Sequence, residues 1–348
     1  MLPAQFQQQL LSWFDHHGRK DLPWQLDINP YRVWVSEIML QQTQVASVIV
    51  YFNKFIERFP TVHRLAEAEL DDVLQYWAGL GYYARARNLH QTARIVVASG
   101  GEFPQSVENL QALPGIGRST AGAILSIALG QSQPILDGNV KRVLSRFHAI
   151  YGWPGETRIA ARLWDIAAEY TPAERTGAYT QAMMDLGATL CTRHKPDCEI
   201  CPVNDGCRAR LLGLTGQLPE AKPRKAVPVK HLYMLILRDG GKRLLLEKRP
   251  PIGIWGGLWS LPEFDDPEVL DLWLARFGHG MGRPEYLPSR RHGFSHYQLE
   301  YTPVLVTLEG CASAINSADT QVWQAIDSLD TLGLPAPVKR LLAEQTAN

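Results

Sequence analysis

Residues 110–146 read LQALPGIGRSTAGAILSIALGQSQPILDGNVKRVLSR, and the reading of this stretch decides the fold. A helix is expected to end near Leu113, where Pro114-Gly115-Ile116-Gly117 makes a tight hairpin. Arg118 then opens a second helix of small and aliphatic residues: Thr120, Ala121, Ala123, Ile124 and Ile127. Glycine lets a backbone come close to a partner, because no Cβ stands in the way. The first amides of a helix point outward with partial positive charge and favour an anion. Asp137 follows, placed to cap the next helix. An anion grip is one reading of the stretch; an ordinary helical turn with Asp137 as its downstream cap is the plainer one.

Composition sets the bounds around it. A chain of 348 residues is long enough for two or more domains. With 45% hydrophobic and 20% charged residues it is globular, and no uninterrupted apolar run reaches membrane-spanning length. The N-terminal MLPAQFQQQLLSWFDHH has no basic region or cleavage signal, so secretion is not expected. Net charge is zero, and residues 1–213 carry 20 Lys/Arg against 20 Asp/Glu. Residues 214–230 carry 4 against 1, and residues 231–348 carry 11 against 14. Binding to nucleic acid would therefore rest on local patches and not on an overall field.

Working outward toward the N-terminus, residues 1–25 read as a helix (Phe6, Leu10, Trp13, Phe14) running into RKDLPW. Asn29-Pro30 marks a second start, and one helix is expected from about Tyr31 to Phe59. Glu37 sits in it, with Val33, Trp34, Leu40 and Gln41 as its helical neighbours. A carboxyl on an apolar stripe is desolvated and keeps its proton to higher pH. A Glu at a helix edge is the alternative, but the adjoining Gln41-Gln42-Thr43-Gln44 run has the character of a polar site. Next, a short helix pair leads to WAGLGYYARARN at 77–88, where Tyr82 and Tyr83 stand beside Arg85 and Arg87. Aromatics can stack on bases and arginines can meet phosphates; a buried tyrosine pair with two surface arginines fits the same letters.

Toward the C-terminus, residues 156–190 read as helical and run into four cysteines, Cys191, Cys198, Cys201 and Cys207. The spacing C-x6-C-x2-C-x5-C is no disulfide framework, and Cys311 stands apart. Four thiolates in one loop suit zinc or an iron–sulfur cluster, and spacing alone does not choose.

At this point the motifs converge. Residues 1–213 resemble the helix-hairpin-helix DNA glycosylase superfamily, the endonuclease III and MutY group. The segments VWVSEIMLQQTQV, GLGYYARARNL, LPGIGRSTAGAI and ILDGNVKRVL together resemble the MutY branch, adenine glycosylases that act opposite 8-oxoguanine. The resemblance implies an all-α helix-hairpin-helix domain over 1–213, with its hairpin at about 106–128. It implies a [4Fe-4S] cluster in the loop 191–207, and so chooses iron over zinc. It implies Glu37 as general acid and base, and Asp137 as the carboxylate that stabilises the positive sugar. Gln41, Gln42, Tyr82, Gly115, Gly117, Ser119, Asn139 and Lys141 would contact DNA, with Gln42 and Tyr82 probing beside the mispair. Trp24 and Gln181 would meet the extruded adenine. Where bifunctional relatives carry a lysine nucleophile, this chain has Ser119, so base removal without an efficient lyase step is expected.

The last third changes character. Residues 214–230 include PEAKPRKAVPVK and read as a linker. From 231 to 345, HLYMLILR and RLLLEKR are strand-like about an Asp239-Gly240-Gly241 turn, followed by a helical run to Phe277 and further strands: an α+β domain. It resembles a Nudix domain with a degraded box. Gly257, Glu263 and Gly278 keep their places, but Asp271, Leu272, Ala275 and Arg276 stand where Arg-Glu and Glu-Glu are required. Without those carboxylates a magnesium-dependent hydrolase is not expected. Phe294-Ser295-His296 resembles a MutY loop that reads 8-oxoguanine. The implied partner is duplex DNA with adenine opposite 8-oxoguanine or guanine, handled by a monomer in the cytoplasm or nucleoid. The competing readings are a pyrimidine-lesion glycosylase/lyase, a non-catalytic iron–sulfur DNA-binding protein and a Nudix hydrolase.

Overall fold

In the computed structural model, residues 1–223, 227–251, 253–275, 281–294, 297–309 and 320–346 are described. The chain forms two units, Met1–Glu67 with Asn88–Arg224, and Ala68–Arg87 with Lys225–Asn348.

In the first unit, Phe6, Leu10 and Phe14 recur every four residues and are buried along α1 (Pro3–His17). The helix stops at His17 and does not run on to residue 25. The Gly18 N–H closes it on the Phe14 carbonyl, and Pro23–Gln25 makes a separate 3-10 turn. Asn29 caps α2 (Pro30–Leu40), its side chain accepting from the Arg32 N–H, with Pro30 in the first turn. The helix predicted over 31–59 is two helices, because the chain turns at Gln41–Gln44 before α3 (Val45–Arg58). Gln42 takes φ +57°, a left-handed conformation that no glycine or proline announces in the sequence.

After α4 (Val62–Glu67) the chain enters the second unit, with α5 (Leu70–Trp77) and the first turn of α6 (Ala84–Ala98), and returns along α6. Then come α7 (Val107–Gln111), α8 (Arg118–Leu129), α9 (Gly138–Phe147), α10 (Thr157–Tyr170) and α11 (Thr176–Asp185). The helical run predicted over 156–190 is interrupted between α10 and α11, where Pro172 lacks an N–H and Arg175 takes φ +54°. A turn of π-helix, Leu186–Leu190, delivers the chain to Cys191, and α12 (Arg208–Leu211) follows the last cysteine. Phe6, Leu10, Val140, Leu144, Phe147, Leu163, Tyr170 and Met183 share one core, against which Cys191, Cys201 and Cys207 pack.

The sequence division at 213 and 230 does not anticipate that residues 68–87 belong to the second unit. The bonds that hold them there are explicit. Lys248 Nζ pairs with Asp71 Oδ2 at 2.8 Å, and the Gln75 amide donates to the Asp330 carbonyl at 3.1 Å. Arg87 donates to the Gly256 carbonyl. The sheet of this unit runs β1 (Val229–Arg238), β2 (Arg243–Lys248), β3 (Trp259–Ser260), β4 (Glu263–Phe264), β5 (Glu285–Tyr286), β6 (Arg290–Gly293), β7 (Gln298–Thr307) and β8 (Gln321–Ala325). Its order is β3-β2-β1-β7-β5, with β4 on β1, β6 on β7 and β8 on β2. Among the described residues, only β1 and β7 run parallel, in register from Val229 with Gln298 to Arg238 with Thr307. The predicted β1–β2 turn is present, closed by Asp239, which accepts from the Gly241 and Arg243 amides and pairs with the Arg243 guanidinium. Leu270 and Leu274 of α13 (Pro267–Leu274) cover Leu235, Leu237, Val304 and Val306. Helix α14 (Ala336–Thr346) completes the unit. Arg276, Gly278, Ser295, His296, Cys311 and linker residues 224–226 lie outside the described residues. Among the described residues no helix is long and apolar enough to cross a membrane.

Candidate active site and cluster loop

Asp137 is indeed a helix cap. Its Oδ1 accepts the Val140 N–H at 2.8 Å at the start of α9. Its Oδ2 accepts from the Asn139 side chain at 3.2 Å. Burial pushes its carboxyl above the usual aspartate value, while the Val140 and Asn139 amides and Arg142 pull the other way. Capping and electrostatics are thus one arrangement: the bonds that start α9 also favour the ionised form.

Glu37 projects from the third turn of α2 and is only partly covered. Its surroundings are nevertheless poor in compensating polar groups. Burial pushes its carboxyl up to about 8, and the Asp137 charge adds to the effect. Burial thus raises both carboxyls, but Asp137 has hydrogen bonds and a cation that oppose the shift, whereas the Asp137 charge adds to the shift of Glu37.

The hairpin stands next to them in sequence and structure. Gly115 takes φ +78°, and a Cβ there would lie 2.9 Å from the Asn88 Cβ. Gly117 is exposed and is the N-cap of α8, whose first bond runs from the Ala121 N–H to the Gly117 carbonyl. The amides of Gly117, Arg118 and Ser119 precede that bond, as an anion grip requires. Thr92 donates to the Pro114 carbonyl at 2.9 Å and fixes the turn from behind. The Ser119 hydroxyl points inward, accepting the Leu136 N–H at 3.0 Å. It holds the residue beside Asp137.

Asn139 is likewise engaged on both sides. Its Nδ2 donates to Asp137 and its Oδ1 accepts from Arg142 Nη2 at 2.8 Å. The same Arg142 donates to the carbonyls of Cys191 at 2.7 Å and Gly187 at 2.6 Å. One turn on, Arg146 is 2% exposed. It donates to the carbonyls of Leu218, Thr192 and Arg193 and lies 3.4 Å from Cys191 Sγ. Helix α9 therefore presents Asp137 at its start and grips the cysteine loop along its length. Lys141 is partly exposed on the same helix.

The four cysteines are free thiols. Burial pushes Cys198, Cys201 and Cys207 up, and the neighbouring thiols add to the shift at each. Among the described residues no three His, Cys, Asp or Glu side chains converge on a point where a single ion could sit. The fit is one of donor chemistry: four soft sulfur ligands that cannot all ionise without a cationic group among them.

Comparison with known proteins follows the same lines. A family model described as HhH-GPD superfamily base excision DNA repair protein matches residues 35–169, and a NUDIX domain model matches 233–344. An adenine DNA glycosylase of Buchnera aphidicola is 40% identical over 97% of this chain and 96% of its own. The human adenine DNA glycosylase is 36% identical over 97% of this chain and 73% of its own. The chain belongs to the adenine DNA glycosylase family. A solved thymine-DNA glycosylase from the same fold shares 25% identity at a TM-score of 0.55, covering 60% of this chain and 97% of that one.

An adenine DNA glycosylase needs a pocket for the base it removes. Trp24 is 4% exposed and meets Phe52 edge-on at 5.5 Å, so its ring is packed and is not an open stacking face. Gln181 is partly exposed and accepts from Gln25 Nε2 at 3.3 Å. Gln25 is a polar residue of this adenine glycosylase that sequence reasoning missed, along with Arg142, Arg146 and the buried Asp185 held by Arg19. Asp185, the one acidic residue of α11, could have signalled itself, whereas Arg142 and Arg146 stand in a helix rich in polar residues and carry no such signal. Gln41 ends α2 partly exposed, and Gln42 is exposed. In the second unit Tyr82 is 47% exposed with φ +51°, and Arg85 lies over both its ring and that of Trp77. Its neighbour Tyr83 is buried, so the sequence pair divides into one surface and one core residue. Phe294 is partly exposed between Trp255 and Tyr297.

Proposed function

We propose that this adenine glycosylase hydrolyses the N-glycosidic bond of adenine opposite 8-oxoguanine or guanine, with Glu37 as acid and Asp137 as electrostatic partner. The observation that carries the reading is the pairing of a partly accessible carboxyl pushed up to about 8 with a capped carboxylate in its field. Adenine leaves poorly unless its ring is protonated. Glu37, neutral at physiological pH, can donate that proton to a ring nitrogen. The bond to the sugar then breaks, the electron pair leaves with the base, and positive charge develops on the sugar. Asp137, ionised and fixed by the Val140 and Asn139 amides, stabilises that charge. Glu37, now deprotonated, takes a proton from the water that attacks the sugar.

The amides of Gly115, Gly117 and their neighbours would hold a backbone phosphate while the base leaves the stack. Gln41, Gln42, Tyr82 and Lys141 would contact DNA, and Trp24 and Gln181 the adenine. Phe294, with Ser295 and His296, would read the opposite base. Ser119 carries no amine, so no Schiff base forms there and strand cleavage is not part of turnover. Cys191, Cys198, Cys201 and Cys207 would hold a [4Fe-4S] cluster. When bound, it supplies iron–sulfur bonds that keep the loop closed against α9. A monomer suffices for this chemistry, and the cell compartment is the one that holds the chromosome.

The test is a single-turnover assay on duplexes with adenine opposite 8-oxoguanine, guanine or thymine, each with and without hot alkali. Adenine loss opposite 8-oxoguanine and guanine, with strand breaks only after alkali, is the expected result. Breaks without alkali would replace the hydrolytic mechanism by a lyase.

A further inference from the structure

Arg85 and Arg87 read in the sequence as phosphate contacts, yet both guanidinium groups donate to carbonyls of the protein. Arg87 donates to the Gly256 carbonyl. Arg85 Nη2 donates to the carbonyls of Leu80 and Gly81, each at 3.2 Å. Its guanidinium also lies 5.3 Å from the centre of the Trp77 ring and 5.5 Å from that of Tyr82. Neither the glycosidic chemistry nor the phosphate grip uses this cluster, and all of it belongs to the second unit.

What the cluster holds is a strained turn. Gly81 takes φ +70° and Tyr82 φ +51°. A left-handed backbone is unfavourable for a residue with a Cβ, and it persists only where the surroundings over-determine it. Here they do. The Gly81 carbonyl accepts from Trp77 Nε1 at 3.2 Å as well as from Arg85. The Tyr82 carbonyl accepts the Arg85 N–H at 2.8 Å. Arg85 thus meets the turn with its backbone and its side chain together. Trp77 is fully buried and gives the cluster a fixed floor, while Tyr82 stands 47% exposed above it. A planar fork can bridge two carbonyls and stack on rings at once; the compact ammonium of a lysine cannot.

We infer that Arg85 is a positioning residue for Tyr82, holding the left-handed, exposed pose from which that ring meets DNA. The inference rests on the proposed reading of Tyr82 as a DNA contact. Without the guanidinium the turn relaxes toward ordinary backbone conformations, and the ring leaves the place from which it would enter the base stack. The effect of Arg85 on binding therefore passes through Tyr82 and not through a phosphate.

The experiment is a double-mutant cycle. Arg85→Met, Arg85→Lys and Trp77→Phe are each made alone and together with Tyr82→Leu. Dissociation constants are measured on a duplex carrying a non-hydrolysable adenine nucleotide opposite 8-oxoguanine. A 2-aminopurine beside the mispair reports unstacking. In the wild-type background Arg85→Met should weaken binding roughly fivefold to tenfold and shrink the fluorescence rise. Arg85→Lys should behave like Arg85→Met, because charge alone does not rebuild the fork. Trp77→Phe, which removes the ring donor to the Gly81 carbonyl, should move both readouts the same way. In the Tyr82→Leu background all three should change binding by no more than about twofold. Should Arg85→Met fail to fold, Arg85→Lys and Trp77→Phe carry the same comparison. Penalties that multiply across the cycle would overturn the inference, as would wild-type binding by Arg85→Lys. So would a salt slope that Arg85→Met lowers by about 0.9, the mark of a lost phosphate contact. A Tyr82→Leu protein that binds and unstacks like wild type would instead sink the reading of Tyr82.

Discussion

Glu37 carries its proton because α2 gives it little else to do: it is flanked by buried Val33, Trp34 and Ile38 and faces the Asp137 charge. Excision should therefore decline as pH rises through about 8, where the acid is lost. An acid limb should lie above the ordinary aspartate value, where Asp137 is neutralised. A single-turnover pH series checks both limbs. Glu37→Gln should keep DNA binding and slow excision by roughly a hundredfold to ten-thousandfold. Linkage gives a second sign. The folded pKa of Glu37 lies above its unfolded value, so its favourable contribution is complete below about 4.5 and is lost as pH rises through about 8. Relative to wild type, the Gln variant should gain stability in denaturant titrations at pH above 8. The types and positions of Glu37 and Asp137 were legible in the letters, because a carboxyl in an apolar period and a cap before Gly-Asn-Val are local patterns. Gln25 was missed because its partner, Gln181, lies 156 positions away, and the bond from the Leu136 N–H to the Ser119 hydroxyl spans 17 positions and leaves no local pattern.

At the scale of the element, the hairpin and α9 decide how well those carboxyls are held. Gly115→Ala would place a Cβ against Asn88 in a left-handed conformation, costing about 1–2 kcal/mol and loosening the amides from phosphate. Binding should weaken alike for every base pair tested, and Tm should drop. Arg146→Met should be harsher. It leaves the Leu218, Thr192 and Arg193 carbonyls without their donor, a loss on the order of 3 kcal/mol or more. Loss of visible iron–sulfur absorbance on purification is the expected readout, with excision falling because α9 also carries Asp137. The hairpin glycines and helix starts were readable from caps and periodicity. The break at Gln41–Gln44 was not, since a left-handed Gln42 leaves no compositional trace.

Across the whole molecule, the helical and α+β halves were legible as composition and pattern. The membership of 68–87 was not, because it depends on partners in β2 and in residues beyond 250. Truncation after Pro223 keeps the Arg146–Leu218 and Gly152–Glu220 bonds but strips α5 of its unit. The fragment should lose more of its preference for 8-oxoguanine over guanine than of its excision rate. It should also melt earlier and aggregate sooner, as Val73, Leu74 and Trp77 lose cover. Equal loss of both activities would remove the recognition role from the C-terminal segment.

The passage of the chain out of the first unit at residue 68, back at 88 and out again at 225 has a temporal consequence. During synthesis α5 leaves the ribosome well before the strands that will bury it. At ordinary elongation rates the interval is roughly ten to thirty seconds. Through that interval the first unit must close around a protruding loop whose apolar residues are unclaimed. Chaperone binding to nascent chains halted between residues 88 and 225 should map to that loop, and should fade once the β1–β2 hairpin has emerged.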